Sequence, residues 1–116
     1  MDLEARSSCL RAVQLVARSA RLCASEDRRS DRYLNSVASA ERMLERAQKY
    51  YSAMRDGHES HERAVRVVNA ALVEAQMCVR QMRAGIIEAD ELAMQAAKIE
   101  RAVARAEGIA PPLGAT

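Results

Sequence analysis

Residues 31–55 read DRYLNSVASAERMLERAQKYYSAMR, and the spacing of their apolar members decides the fold. Tyr33, Val37, Ala40, Leu44, Ala47, Tyr51 and Met54 follow one another at alternating steps of four and three, which is one face of an α-helix kept up for three heptads. A half-buried strand would alternate at every second residue, and no segment of the chain does so.

Working outward, the breakers divide the rest. Glycine occurs at Gly57, Gly85, Gly108 and Gly114 and proline at Pro111 and Pro112, so three long stretches have no internal breaker. Upstream, Cys9, Val13, Val16, Ala20 and Cys23 repeat the same spacing and predict a first helix over about 2–24. The polar link SEDRRSD, 25–31, offers Ser30 or Asp31 as N-cap for the second helix, over about 31–55. Downstream, Asp56-Gly57 suits a helix end. Val65, Val68, Leu72, Ala75, Val79 and Met82 then predict a third helix over about 59–84. Gly85 followed by Ile86 fits a Schellman stop with its hydrophobic contact, and Leu92, Ala96, Ile99, Val103 and Ala106 place a last helix over about 89–107. Beyond it, residues 108–116 are expected to form a flexible tail, because IAPPLGAT cannot continue a helix.

Four amphipathic helices joined by short links predict an all-α fold, with residues 1–107 as a single helical domain. An antiparallel four-helix bundle is the expected arrangement, since short loops make sequential helices neighbours. A long central hairpin with flanking helices, crossing over to form an intertwined dimer, is the alternative. The near-3.5 period of all four stripes favours left-handed packing at about 20°.

Composition bounds the function classes. The 116 residues are 49% hydrophobic and 29% charged, as in folded proteins, yet contain no Phe or Trp and three Tyr, so the core must be built from alanine and aliphatic residues. The basic residues are arginines except Lys49 and Lys98, which with the alanine excess points to a GC-rich, bacterial genome. No apolar run reaches the roughly 18 residues of a membrane helix, and MDLEARSSCL lacks a signal-type apolar core, so a cytoplasmic protein without membrane contact is expected. Cys9, Cys23 and Cys78 are odd in number and lie on helical faces, which suits reduced structural thiols.

Residues 58–62, HESHE, pose the question of a metal. The metalloprotease signature needs histidines four apart on one helical face with a glutamate directly after the first. Here His58 and His61 are three apart and straddle a helix start. Cys78, the nearest thiol in sequence, would lie ~25 Å from His61 along one helix at 1.5 Å per residue. Glu59 and Glu62 instead complement the positive end of the third helix and Ser60 can cap it, so no metal or cofactor is expected beyond adventitious binding at the histidines. With no Gly-rich phosphate loop, no nucleophile elbow and no carboxylate pair aimed at the core stripes, an enzyme is not expected either. Glu41, beside Gln48 at the edge of the second helix's stripe, is expected to reach out to water.

Apolar residues outside the stripes are the functional lead. Leu15 and Leu22 fall on the side of the first helix that carries Arg11 and Arg18, and Ala70, Val73 and Met77 lie off the main face of the third helix among Arg66, Arg80 and Gln81. Such second stripes edged with arginine suggest a partner or dimer interface made of Leu15, Leu22, Ala70, Val73, Met77, Arg11 and Arg18. Met43, Tyr50 and Met54 suggest a secondary, adaptable partner face on the second helix. The expected function is therefore non-enzymatic protein binding by helix-face burial, through a homodimer or with another protein. A small bacterial regulator of the antiactivator or inhibitor kind, or a chaperone or adaptor, would fit. A nucleic-acid-associated protein is the alternative, using Arg21, Arg28, Arg29 and Arg32 of the first helix and the following link, although Glu26, Asp27 and Asp31 are interleaved and no aromatic stands by to stack on bases.

Overall fold

The computed structural model describes residues 2–56 and 62–108 of the chain. These residues form four α-helices: α1 (Asp2–Ala24), α2 (Asp31–Arg55), α3 (Glu62–Ala84) and α4 (Ala89–Glu107). The expected starts and stops agree wherever residues are described. The expected beginning of α3 at residue 59, the Gly57 stop and the tail from residue 109 onward lie outside the described residues.

Local chemistry accounts for the turns. Ser30 is the N-cap of α2, extended at φ −74° and ψ 152°, and its Oγ accepts from the Tyr33 amide at 3.1 Å. The same hydroxyl donates to the Asp27 carbonyl at 2.7 Å, so one side chain closes the link and opens the helix. At the end of α3, Gly85 takes φ +68°, a conformation that glycine adopts without the steric cost a Cβ brings. Its amide donates to the Gln81 carbonyl at 3.1 Å, the single-bond αL stop. The Schellman contact expected of Ile86 is not made: Ile86 is 78% exposed and Ile87 is the residue that turns inward, at 8%. Arg28 supplies the reason. Its guanidinium donates to the Gly85 carbonyl at 2.7 Å and to the Ile87 carbonyl at 2.8 Å, tying the α3–α4 link to the α1–α2 link with Ile87 underneath.

The helices run antiparallel in sequence order. Cys9 Sγ donates to the Ala47 carbonyl near one end of the α1–α2 pair and Cys23 Sγ to the Tyr33 carbonyl near the other. Tyr33 Oη reaches the Met82 carbonyl at 3.2 Å, joining the start of α2 to the end of α3. Arg6, buried at the start of α1, donates to the Ala106 carbonyl at the end of α4. Helix α1 packs against all three others, whereas α2 and α4 do not meet among the described residues, so α1 and α3 form the short diagonal of the bundle.

This placement explains why α1 is buried more widely than its stripe implies. Cys9, Val13, Val16, Ala20 and Cys23 are all in the core, but so are Leu10, Ala12 and Ala17, because three neighbours cover about half of the helix circumference. The stripes of the other helices fill the rest, with Val68, Leu72, Ala75, Val79 and Met82 from α3 and Leu92, Ala96, Ile99, Val103 and Ala106 from α4. Alanines at zero exposure, among them Ala20, Ala40, Ala47, Ala75 and Ala96, stand where large side chains would otherwise separate the helices.

The three cysteines are free and buried. Burial pushes the Cys9 and Cys23 thiols up to about 11 and that of Cys78 to about 12, and each sulfur already has a neighbour, Cys78 Sγ meeting Met82 Sδ at 3.9 Å. At pH 8 a thiol of pKa 11 is ionised in only roughly one molecule in a thousand. The folded protein is therefore expected to react slowly with a disulfide reagent at pH 8 and to release all three thiols on denaturation. Labelling at the unfolded rate without denaturant would show that these sites open freely.

Candidate interaction surface

The large apolar residues that remain exposed in the bundle include Leu15 at 36%, Leu22 at 52%, Val73 at 41% and Met77 at 47%. Ala70 is also exposed. The structure does not bring the two stripes together: α1 and α3 are diagonal partners, so faces pointing away from the core on one point away from those on the other. Leu15 and Leu22 therefore belong to one side of the molecule, and Ala70, Val73 and Met77 to the opposite side.

What the structure does join is Leu15 with the second helix. Leu15, Met43 and Tyr50 line one groove of about 230 Å³ on the α1–α2 seam, together with Ser8, Arg11, Ala12 and Arg46. Tyr50 is 41% exposed, and Met43 is half-buried with one side against the core. Met54, expected on the same face, is instead a core residue at 3% exposure. It lies one turn beyond Tyr50, where the helical period of 100° per residue turns its position about 40° round toward the side of buried Ala47. Sequence reasoning missed Arg46, which nothing in its own helix distinguishes from the other surface arginines.

The antiparallel register fixes the order along the seam. Since residue 9 meets 47 and residue 23 meets 33, Tyr50 lies near the level of residue 6 of α1, Met43 near 13, then Leu15 and Leu22. Met43 thus lies about seven residues along from Tyr50 and Leu22 seven from Leu15, ~10 Å each at 1.5 Å per residue, with Met43 and Leu15 side by side between them. Arg11 and Arg18 run along its α1 edge and Arg46 stands on its α2 edge. All three are exposed, and none has an ion-pair partner among the described residues.

The arginines assigned to the nucleic-acid alternative are arranged differently. Arg21 forms two hydrogen bonds to Glu100, its Nε donating at 2.8 Å, which holds the Glu100 carboxyl below the usual carboxylate range and raises the Arg21 guanidinium. A carboxylate with a lowered pKa stabilises the fold above its unfolded pKa and loses that contribution as pH falls through the folded one; here the pair is exposed and the effect small. Arg28 holds two backbone carbonyls and pairs with Glu88 at 3.4 Å, and Arg32 pairs with Glu26 at 3.6 Å. Arg29 alone of the four lacks a side-chain partner among the described residues; its amide donates to Asp27 Oδ1 at 2.8 Å. These arginines tie links and helices to one another rather than presenting a common row.

Two other grooves are larger. One of about 610 Å³ between α2 and α3 is lined by Leu44 and Val79 at its floor and by Gln48, Gln76, Arg80 and Arg83 at its walls, and Arg83 pairs with Glu41 at 3.3 Å. Another of about 430 Å³ between α1 and α4 mixes Arg11 with Glu100 and Glu107. His58 and His61 lie outside the described residues, and among those described no three His, Cys, Asp or Glu side chains gather at one point. No helix among the described residues is long and apolar enough to cross a membrane. Leu34 at 56% and Met94 at 61% are further exposed apolar side chains that the stripes did not single out, and scattered surface residues of this kind are ordinary. Comparison with known protein families, curated proteins and solved structures finds no match to this chain.

Proposed function

We propose that this chain is a non-enzymatic protein-binding module that works by burying the α1–α2 seam against another protein. A small cytoplasmic bacterial regulator that masks a transcription factor, or a secretion-type chaperone or adaptor, would use such a surface. The observation that supports this reading is the single apolar line of Tyr50, Met43, Leu15 and Leu22, drawn from two helices and edged by arginines with no ion-pair partner among the described residues. An apolar centre with a polar, arginine-bearing rim is the make-up of an association surface. Conserving the fold does not require it, because none of Leu15, Leu22 or Tyr50 is in the core.

A photo-reactive side chain placed at position 22 tests the reading in cells. A discrete protein adduct is expected, weakened at least tenfold by Leu15→Arg, while the same probe at exposed Asn69 of α3 gives none. Circular dichroism of the Leu15→Arg, Leu22→Arg double variant should match the parent, since both positions face outward. Adducts indifferent to Leu15, or equal from position 69, would remove the seam from the proposal. An adduct of twice the chain mass would assign the seam to a homodimer, which light scattering at several concentrations would then have to reproduce.

A further inference from the structure

The charges around the seam narrow what can cover it. The groove holds Arg11 and Arg46 and no carboxylate, and Arg18 continues the row beside Leu22. Arg11 and Leu15 also border the α1–α4 groove, where Glu100, held by Arg21, and Glu107 stand across from them, so Arg18 and Arg46 carry the charge that faces the seam alone, and on α1 itself the acidic residue of this side is Glu4, a heptad before Arg11. On α2, Glu45 precedes Arg46 in sequence and so projects about 100° away from it, as successive helical residues do. Arginines that form no ion pair among the described residues keep their charge available for a partner.

A second copy of the chain does not supply what this surface lacks. In a two-fold pairing residue i meets residue j and j meets i, so Arg11, Arg18 and Arg46 of both copies would crowd round one apolar line. Placing the α3 stripe there instead would bring Val73 and Met77 together with their own flanking Arg66 and Arg80. The first arrangement sets like charges against each other, and the second offers two arginines against the one half-buried carboxylate, Glu74, at the edge of the α3 stripe.

Resting on the protein-binding reading, we infer that the occupant of the α1–α2 seam is an acidic amphipathic helix of another protein. The ~10 Å steps from Tyr50 to Met43 and from Leu15 to Leu22 match the heptad rise of a helix, so apolar residues at i, i+7 and i+14 of the ligand can seat along the line. Glutamates or aspartates flanking those positions meet Arg11 and Arg18 on one edge and Arg46 on the other. The half-buried Met43 can change rotamer to fit the incoming side chain.

The test displays a library of amphipathic helical peptides with a fixed leucine heptad line and Glu, Gln or Lys varied at the flanking positions, selected on the intact protein. Enrichment of Glu is expected, and the selected peptide should bind at least tenfold more tightly than its Lys-flanked counterpart, more weakly as salt is raised. The Arg11→Glu, Arg18→Glu, Arg46→Glu triple variant, checked for unchanged helicity, should reverse that preference toward Lys. Enrichment of Gln or Lys flanks, or a preference that the triple variant leaves unchanged, overturns the inference about the partner. Binding that ignores flank charge yet is lost with Leu15→Arg does so too, while leaving the seam as a protein-binding surface. Peptides that bind without regard to Leu15 overturn both.

Discussion

Ile99→Ala is expected to lower the unfolding free energy by about 2–5 kcal/mol, the range for truncating a buried aliphatic residue to alanine. Ile99 has zero exposure on α4 and is among the largest fully buried side chains. The buried Ala96 and Ala106 on the same face of α4 cannot extend to fill the space, so the cavity term adds to the lost transfer energy. For a chain of this size a loss of that order corresponds to a fall in Tm of roughly 10 °C. Urea unfolding followed by circular dichroism measures it directly. A change below about 1 kcal/mol would mean that the site collapses freely or that Ile99 is not packed as the structure has it.

The second large effect runs the other way in volume. Ala20→Leu inserts three carbons on the side of α1 that meets its neighbours, at a position with zero exposure. Overpacking of this kind costs typically about 1–3 kcal/mol, and more where backbones must move apart. The same exchange at exposed Ala70 should stay within about 0.5 kcal/mol. The contrast matters more than either value, since equal effects at 20 and 70 would contradict the close helix approach that the buried alanines imply. Both variants keep a helix former at the position, so a difference between them reports packing and not propensity.

Much of the fold was legible in the sequence because its signals are local. Helical hydrogen bonds join residues four apart, so the 3-4 spacing of Tyr33 through Met54 specifies a helix and its inward face without reference to anything distant. The Ser30 cap and the left-handed Gly85 are likewise questions of one turn of chain. The stop at Gly85 shows where locality ends. Which isoleucine of the pair 86–87 turns inward depends on Arg28, 57 residues earlier than Gly85, and no reading of the link itself reveals that contact.

The candidate surface divides along the same line. The sequence determined by itself that Leu15, Leu22, Val73 and Met77 lie outside their helices' core stripes, because a residue's angle on a helix follows from its number. Only the tertiary structure decided which of them can act together. It set α1 and α3 across the short diagonal, parting the two stripes, and laid α2 beside α1 in a register that puts Met43 and Tyr50 next to Leu15. It also took Met54 into the core and gave Arg21, Arg28 and Arg32 carboxylates or carbonyls to hold, leaving Arg11, Arg18 and Arg46 without ion-pair partners among the described residues. The physical reason is that a helix's second face is buried or exposed by neighbours far away in sequence, whose packing minimises exposed apolar area over the whole chain at once.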